Sequence, residues 1–225
     1  IKQQWMGWQR AGVSAHYRPN WFLDGYTMPL VYMHQFGDAF QFYARNGMTG
    51  TDFDSLQGQW ATQGPNLYLL SRIHVRPEQP VDDLLKEYYQ AFGPAAAAVQ
   101  DYFDYWEKYA VENSARAAEA IRSRSNGLFR RYAYYARVAD ELYPPEIFTQ
   151  AKEKLQGALA AARESDDPVY ADRVRFLQQG LTHAEQCVAT AAVVNAAETT
   201  MAEKKAAITK LIQVRRSLEH TNIAN

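Results

Sequence analysis

The sequence NGMTGTDFDS, residues 46–55, decides the fold of the first part of the chain. Gly47 ends a helical pattern, and the short run that follows predicts a strand from Met48 to Phe53. An equivalent step lies upstream, where a helical pattern ends at Gly12 and the residues from Val13 to Tyr17 predict another strand. The order helix, strand, helix, strand, with about thirty residues between the strands, is typical of a parallel βαβ unit with a right-handed crossover.

Two parallel strands are too few for a closed barrel of this type, which needs about eight. The chain opens at Ile1 in what reads as the middle of an amphipathic helix, so we expect native sequence to precede it. We therefore expect residues 1–77 to be the C-terminal portion of a (β/α) barrel, the last βα units of a TIM-like fold. The remaining strands would come from an upstream barrel segment of the same parent chain.

Near Pro77 to Pro80 the sequence changes from an aromatic and Gly-rich composition to an Ala-rich and continuously helical one. Gly93 ends one predicted helix and Asp167, before a proline, is a predicted N-cap for another. An aromatic stripe at helical spacing predicts a buried helix face: Val99, Tyr102, Phe103, Trp106 and Tyr109. The fold class that we predict is an α/β barrel fragment followed by an all-α bundle, predominantly helical, with residues 78–225 as the helical domain.

Another helix is predicted around Leu128, Tyr132, Tyr135 and Leu142, and it should stop before Pro144. The residue that precedes a proline avoids helical angles, so the Tyr143–Pro144 step marks a boundary.

Composition excludes several classes of function. The 225 residues have a formal net charge of −1, with basic and acidic residues interspersed, so we expect no nucleic-acid partner. No apolar run approaches the roughly 18 residues that a membrane span needs, and the first residues do not resemble a signal peptide. The single cysteine, Cys187, excludes an internal disulfide and a cysteine zinc cluster. No histidine pair has metal-site spacing and no Gly-rich phosphate loop is present, so we predict neither metal nor cofactor.

Functional residues of parallel barrels follow the C-terminal ends of the strands. Four polar residues lie at the end of the first predicted strand, and we predict that they contact substrate: His16, Tyr17, Arg18 and Asn20. Arg18 has the geometry to clamp a carboxylate, and the Tyr17 hydroxyl can donate to a sugar hydroxyl.

Asp52 and Asp54, at the end of the second predicted strand, are the candidate catalytic residues. They are two apart on an extended segment, so both carboxylates should point to one face while Phe53 points to the other. Such a pair can bind sugar hydroxyls, hold a cation, or supply an acid, base or nucleophile for glycoside cleavage. The structural alternative is that one caps the next turn and the other pairs with an arginine such as Arg18.

Trp60 follows on what we interpret as the same loop, and its flat apolar face suits a sugar ring. Alternatively it is a wedge between barrel and bundle. No glutamate precedes Glu78, so any catalytic glutamate would lie upstream of this chain.

Part of the chain resembles a known family. The segment VDDLLKEYYQAFGPAAAAVQDYFDYWEK, residues 81–108, has an acidic helix start, an aromatic pair before Gly-Pro and then an aromatic stripe. Together with RPNWFLDG, residues 18–25, and residues 50–73, it is similar to a bacterial domain-of-unknown-function family with an α-glucuronidase-like barrel and a C-terminal helical region. The resemblance covers roughly residues 5–110. It implies a glycoside-hydrolase-like role in polysaccharide use, in a secreted or periplasmic protein.

The function that we expect is therefore that of a glycoside-hydrolase-like fragment, acting on or binding carbohydrate at the strand ends and inactive by itself. The alternative is a non-catalytic carbohydrate-binding module, or a helical module for structure or assembly.

Overall fold

The computed structural model describes residues 1–23, 25–124 and 131–221, and the side chains of these except 23, 124 and 131–136. Within them the chain forms ten α-helices and one small sheet. The helices are α1 Lys2–Arg10, α2 Met33–Arg45, α3 Trp60–Val75, α4 Val81–Gln90, α5 Ala96–Glu112, α6 Ser114–Arg124, α7 Arg131–Leu142, α8 Pro145–Ala162, α9 Pro168–Asn195 and α10 Met201–Leu218. Short 3-10 turns cover Trp21–Leu23, Gly93–Ala95 and Glu219–Thr221. The chain is thus predominantly helical, as predicted.

The sheet consists of two parallel strands, β1 Ala15–Tyr17 and β2 Met48–Thr51, with α2 between them in the chain. The predicted order of helix, strand, helix and strand is confirmed, although both strands are shorter than predicted. Gly12 and Gly47 have φ values of 73° and 79°, left-handed angles that glycine adopts at little cost, and each follows the end of a helix. Two strands among the described residues do not establish a barrel.

Helix α3 was not predicted from the sequence, and the prediction that its first residue, Trp60, lies on a loop is wrong. The helix is buried on nearly all sides, so it lacks the one-sided apolar pattern by which a surface helix is recognised. Pro65 lies within it, and the backbone at Gln63 departs from helical angles. A Gly-Pro pair normally indicates a turn, which explains the wrong interpretation.

Side-chain amides of α3 hold the irregular segment that precedes α2. Gln63 Nε2 donates to the carbonyl oxygens of Tyr26 and Met28, at 3.2 and 3.0 Å. Asn66 Nδ2 donates to the carbonyl oxygen of Leu30 at 2.9 Å, and its Oδ1 accepts from the amide of Tyr32 at 3.1 Å. Because both amides are buried, these bonds replace the ladder that regular structure would have provided.

The later helices begin largely where the sequence predicts. Asp167 caps α9 by accepting from the amide of Val169 at 3.0 Å, and α8 begins at Pro145. In the aromatic stripe on α5, Val99, Tyr102, Phe103 and Trp106 are buried. Tyr109 is half-buried and donates to the carbonyl of Leu142 on α7. The helix predicted around Leu128, Tyr132 and Tyr135 falls partly on residues 125–130 and on side chains outside the described part of the chain.

One hydrophobic core includes residues from both sides of the predicted boundary at residue 77. Phe36 and Leu69 belong to it, together with Trp106, Leu155 and Leu177. Helix α3 contacts both α4 and α9. The division into residues 1–77 and 78–225 therefore remains a prediction from composition, with a shared core across it.

None of the helices in the described residues is long and apolar enough to cross a membrane.

Candidate functional site

The two parallel strands bring the predicted site residues together at one end of the sheet. Tyr17 pairs with Thr51, and the amide of Asp52 donates to the carbonyl of Tyr17 at 3.2 Å. Arg18 and Asp52 are consequently neighbours, although 34 positions separate them in the chain. We call His16, Arg18, Asn20, Asp52 and Asp54 the strand-end cluster.

Arg18 lies at the centre of the strand-end cluster. Its Nε donates to Asp52 Oδ2 at 2.8 Å, and its Nη2 lies 3.2 Å from Asp54 Oδ1. Its Nη1 donates to Asn20 Oδ1 at 3.3 Å. The hydrogen bond to Asp52 raises the pKa of Arg18, so the guanidinium remains charged. All three charged side chains are largely exposed to solvent.

Both aspartates therefore face the same way, as their spacing predicts. Phe53, between them, faces the core and packs edge-on against Phe22 and Phe36, with ring centroids 5.5 and 6.2 Å apart. The structural alternative is confirmed in part, because Asp52 does pair with Arg18. Asp54, which that alternative makes a turn cap, contacts the same arginine.

Successive residues of β1 point to opposite faces, which separates two of the predicted contacts. His16 is exposed, and its ring lies over Gly50. Tyr17 points toward the core, where its ring centroid is 4.5 Å from that of Tyr43 and 6.4 Å from that of Phe40. Burial raises the pKa of the Tyr17 hydroxyl. Its predicted role as a donor to sugar stays a prediction, and its ring lies on the opposite face from Arg18.

Trp60 is the first residue of α3, and 51% of its surface is exposed. A wedge between two packed units would be largely covered, so this exposure favours the interpretation as a binding surface.

Two polar clusters were not found from the sequence. In the first, His34 bridges two helices: its Nδ1 lies 2.5 Å from Glu107 Oε2 on α5, and its Nε2 lies 2.9 Å from Asp82 Oδ1 on α4. The hydrogen bond to Glu107 raises the pKa of His34 to about 9, against the opposing effect of burial. Nothing in the local sequence connects these residues, because each lies on a different helix.

The second cluster joins α9, α10 and the segment before α2. His183 Nδ1 lies 2.8 Å from Thr27 Oγ1, and Arg215 Nε donates to His183 Nε2 at 3.3 Å. Cys187, one helical turn after His183, lies 3.5 Å from the same Nε2. The spacing of four residues between His183 and Cys187 was the one available sequence signal.

Within the described residues, no group of three or more His, Cys, Asp or Glu side chains is arranged to hold a metal ion. At the strand-end cluster the cation beside the carboxylates is the Arg18 guanidinium.

Comparison with known proteins places only the first part of the chain. No curated protein and no solved structure matches the chain. Residues 1–104 match the family model described as Domain of unknown function (DUF4838), so this part of the chain is similar to an uncharacterised domain family.

Proposed function

We propose that the strand-end cluster binds polysaccharide, as part of a glycoside-hydrolase-like protein whose catalytic residues lie outside this chain. One observation carries the proposal: Arg18 contacts Asp52 and Asp54 together at the shared end of two parallel strands. In this position the guanidinium fixes two exposed carboxylates without covering them.

Each carboxylate retains an oxygen for a ligand. Arg18 contacts Oδ2 of Asp52 and Oδ1 of Asp54, and among the described residues the other oxygen of each has no hydrogen-bond partner. A carboxylate oxygen accepts strongly from hydroxyl groups. Two such oxygens on one face suit the neighbouring hydroxyls of a sugar ring.

The same geometry argues against two other roles for the aspartates. A guanidinium between them opposes a bound cation by charge repulsion. Glycoside cleavage needs two carboxyl groups that flank the scissile bond. Asp52 and Asp54 both turn toward one arginine and therefore approach a ligand from the same side. Their predicted catalytic role is thus less well supported than a binding role.

Trp60 supplies a second kind of contact. Sugar rings present C–H groups on one face, and an exposed indole offers a flat apolar surface against them. Trp60 follows Asp54 by six residues, so the chain allows at most about 21 Å between their Cα atoms. A separation within this limit allows both side chains to contact one ligand of several sugar units.

The resemblance and the sheet support the larger context. Among the described residues β1 pairs only with β2, so the outer edge of each strand has unpaired backbone groups. Such edges favour pairing with further strands. We propose that an upstream barrel segment provides them, in a bacterial protein that is secreted or periplasmic.

The test is affinity electrophoresis of this chain through gels that contain individual polysaccharides, followed by calorimetry on those that retard it. Removal of both charges in Asp52→Asn with Asp54→Asn, or of the ring in Trp60→Ala, should weaken binding at least about tenfold, because each loses a direct contact. Trp8→Ala is the matched control, since Trp8 is also 51% exposed. Asp38→Asn is the control for loss of an exposed carboxylate on α2.

Lack of retardation by every polysaccharide would sink the proposal, and so would equal losses in the control variants. Hydrolysis by the isolated chain would show that catalysis does not require residues elsewhere.

A further inference from the structure

A cavity of about 440 Å³ lies where α9 and α10 meet the segment that precedes α2. Its volume falls within the range of about 300–1,000 Å³ that is usual for small-molecule sites. No residue of the strand-end cluster lines it, so it is a separate site.

Arg215 brings a positive charge to this cavity. Its Nε donates to His183 and its Nη2 lies 3.7 Å from Cys187 Sγ. Burial lowers the pKa of His183 to about 4 and raises the pKa of the Cys187 thiol, so both groups are neutral near pH 7. Among the described residues no carboxylate pairs with Arg215, and its Nη1 has no protein acceptor.

His183 directs a second donor into the cavity. Only 1% of its surface is exposed, and its Nε2 accepts from Arg215, so the neutral ring carries its proton on Nδ1. That proton is donated to Thr27 Oγ1. The Thr27 hydroxyl must then direct its own hydrogen elsewhere, and no acceptor for it lies among the described residues. Thr27 lines the cavity, and an acceptor on a ligand would satisfy this buried group.

Most of the remaining wall is apolar. Met28, Val194, Ile208 and Leu211 contribute to it, and 44% of Ile208 is exposed although it is a large aliphatic residue. Burying these side chains against an apolar ligand removes apolar surface from water, which stabilises the complex. A small inorganic anion would leave this surface wet, and a free sugar would leave its hydroxyls without partners there.

The backbone is strained at one residue that lines the cavity. Tyr26 has a φ of 47°, in the left-handed region that bulky side chains rarely occupy, and it lines the cavity. Strain of this kind is concentrated at functional sites. Gln63 keeps the segment in this path through its bonds to Tyr26 and Met28.

We propose that this cavity binds a small organic carboxylate with an aliphatic or aromatic body, whose anionic group is held by Arg215 and Thr27. The apolar body lies along Ile208 and Leu211. This site is independent of sugar binding at the strand-end cluster, and each can fail without the other.

Octanoate is a suitable probe, and calorimetry with the whole chain is the first measurement. We expect saturable binding of one octanoate, weakened at least about tenfold in Arg215→Gln and unchanged in Arg216→Gln, the adjacent exposed arginine of the same helix. Octanol, which has the same body without the charge, should bind at least about tenfold more weakly. Lack of saturable binding, or equal losses in the two arginine variants, would overturn the proposal.

Cys187 provides a second readout that does not depend on a variant. It is the only cysteine of the chain and it lines the cavity. Saturating octanoate should slow the reaction of Cys187 with a small thiol reagent, whereas acetate at the same concentration should not, because it lacks the apolar body. A labelling rate that octanoate leaves unchanged would contradict occupation of this cavity.

Discussion

Gly180 on α9 lies directly against Ala61 on α3, so close that a Cβ at position 180 would overlap the Cβ of Ala61. This contact joins a helix from the first predicted region to the longest helix of the second. Gly180 lies within a helix and not in a turn, so its backbone angles do not require glycine. The close approach of the two helices requires it.

We therefore expect Gly180→Ala to destabilise the protein. Overpacking costs about 1–3 kcal/mol, which exceeds the gain of up to about 1 kcal/mol from the better helix propensity of alanine. Gly157→Ala is the control: it also lies within a helix, and nothing stands within 4 Å of a Cβ there. Urea unfolding should show a loss for Gly180→Ala and no loss for Gly157→Ala. Equal shifts in both variants would refute the packing argument.

The bridge of His34 to Glu107 and Asp82 predicts a specific pH dependence. The pKa of His34 is raised to about 9 in the folded protein, above its unfolded value of about 6.5. The contribution of this bridge to the stability of the fold is therefore complete below about pH 6.5, and it is lost as the pH rises through about 9.

Thermal unfolding of the wild type and of His34→Asn, measured from pH 6 to pH 9.5, checks this dependence. The difference in Tm between them should narrow as the pH rises. His220→Asn, which removes an exposed histidine, should leave the wild-type pH profile unchanged. A constant difference for His34→Asn would show that protonation of His34 does not contribute.

Asn66 should contribute to the stability of the fold, because its side chain forms hydrogen bonds with two backbone groups. Asn66→Ala leaves the carbonyl of Leu30 and the amide of Tyr32 without their side-chain partner, at a cost of about 1–3 kcal/mol. Gln213→Ala removes an exposed amide and should change the free energy of unfolding by less than about 0.5 kcal/mol. A cost for Asn66→Ala as small as that of the control would mean that water replaces both bonds.

Helix α10 buries none of its residues completely, so its capping box should control its local stability. Thr200 accepts from the amide of Glu203, and the Glu203 carboxylate accepts from the amide of Thr200 at 2.8 Å. Thr200→Ala should cost about 1 kcal/mol and speed hydrogen exchange of amides in α10. Thr209→Ala, in the middle of the same helix, should not speed exchange, because alanine is the better helix former there. Unchanged exchange in Thr200→Ala would contradict the prediction.

Much of the fold could be predicted where a single residue fixes the local backbone. Gly12 and Gly47 end helices before the strands, and Asp167 begins α9 at the predicted position. Helix α3 could not be predicted in this way. Its burial on nearly all sides removes the periodic pattern, and Pro65 within it resembles a turn signal.

The candidate site, like the fold, could be predicted only in part. The spacing of Asp52 and Asp54 predicts their shared face, and the parallel strands predict that Arg18 lies near them. The cluster of Thr27, His183 and Arg215 required the tertiary fold, because its members lie on three separate segments, and Thr27 and His183 alone are 156 positions apart.

The amides of α3 have one more consequence for the cavity. Gln63 and Asn66 contact main-chain atoms of the segment from Tyr26 to Tyr32, and these atoms are present whatever side chains the segment carries. A substitution at a cavity-lining residue such as Met28 can therefore alter which ligands the cavity accepts, while the backbone of the segment keeps its conformation. Related chains that keep the two amides are free to diverge in ligand preference without having to evolve a new scaffold.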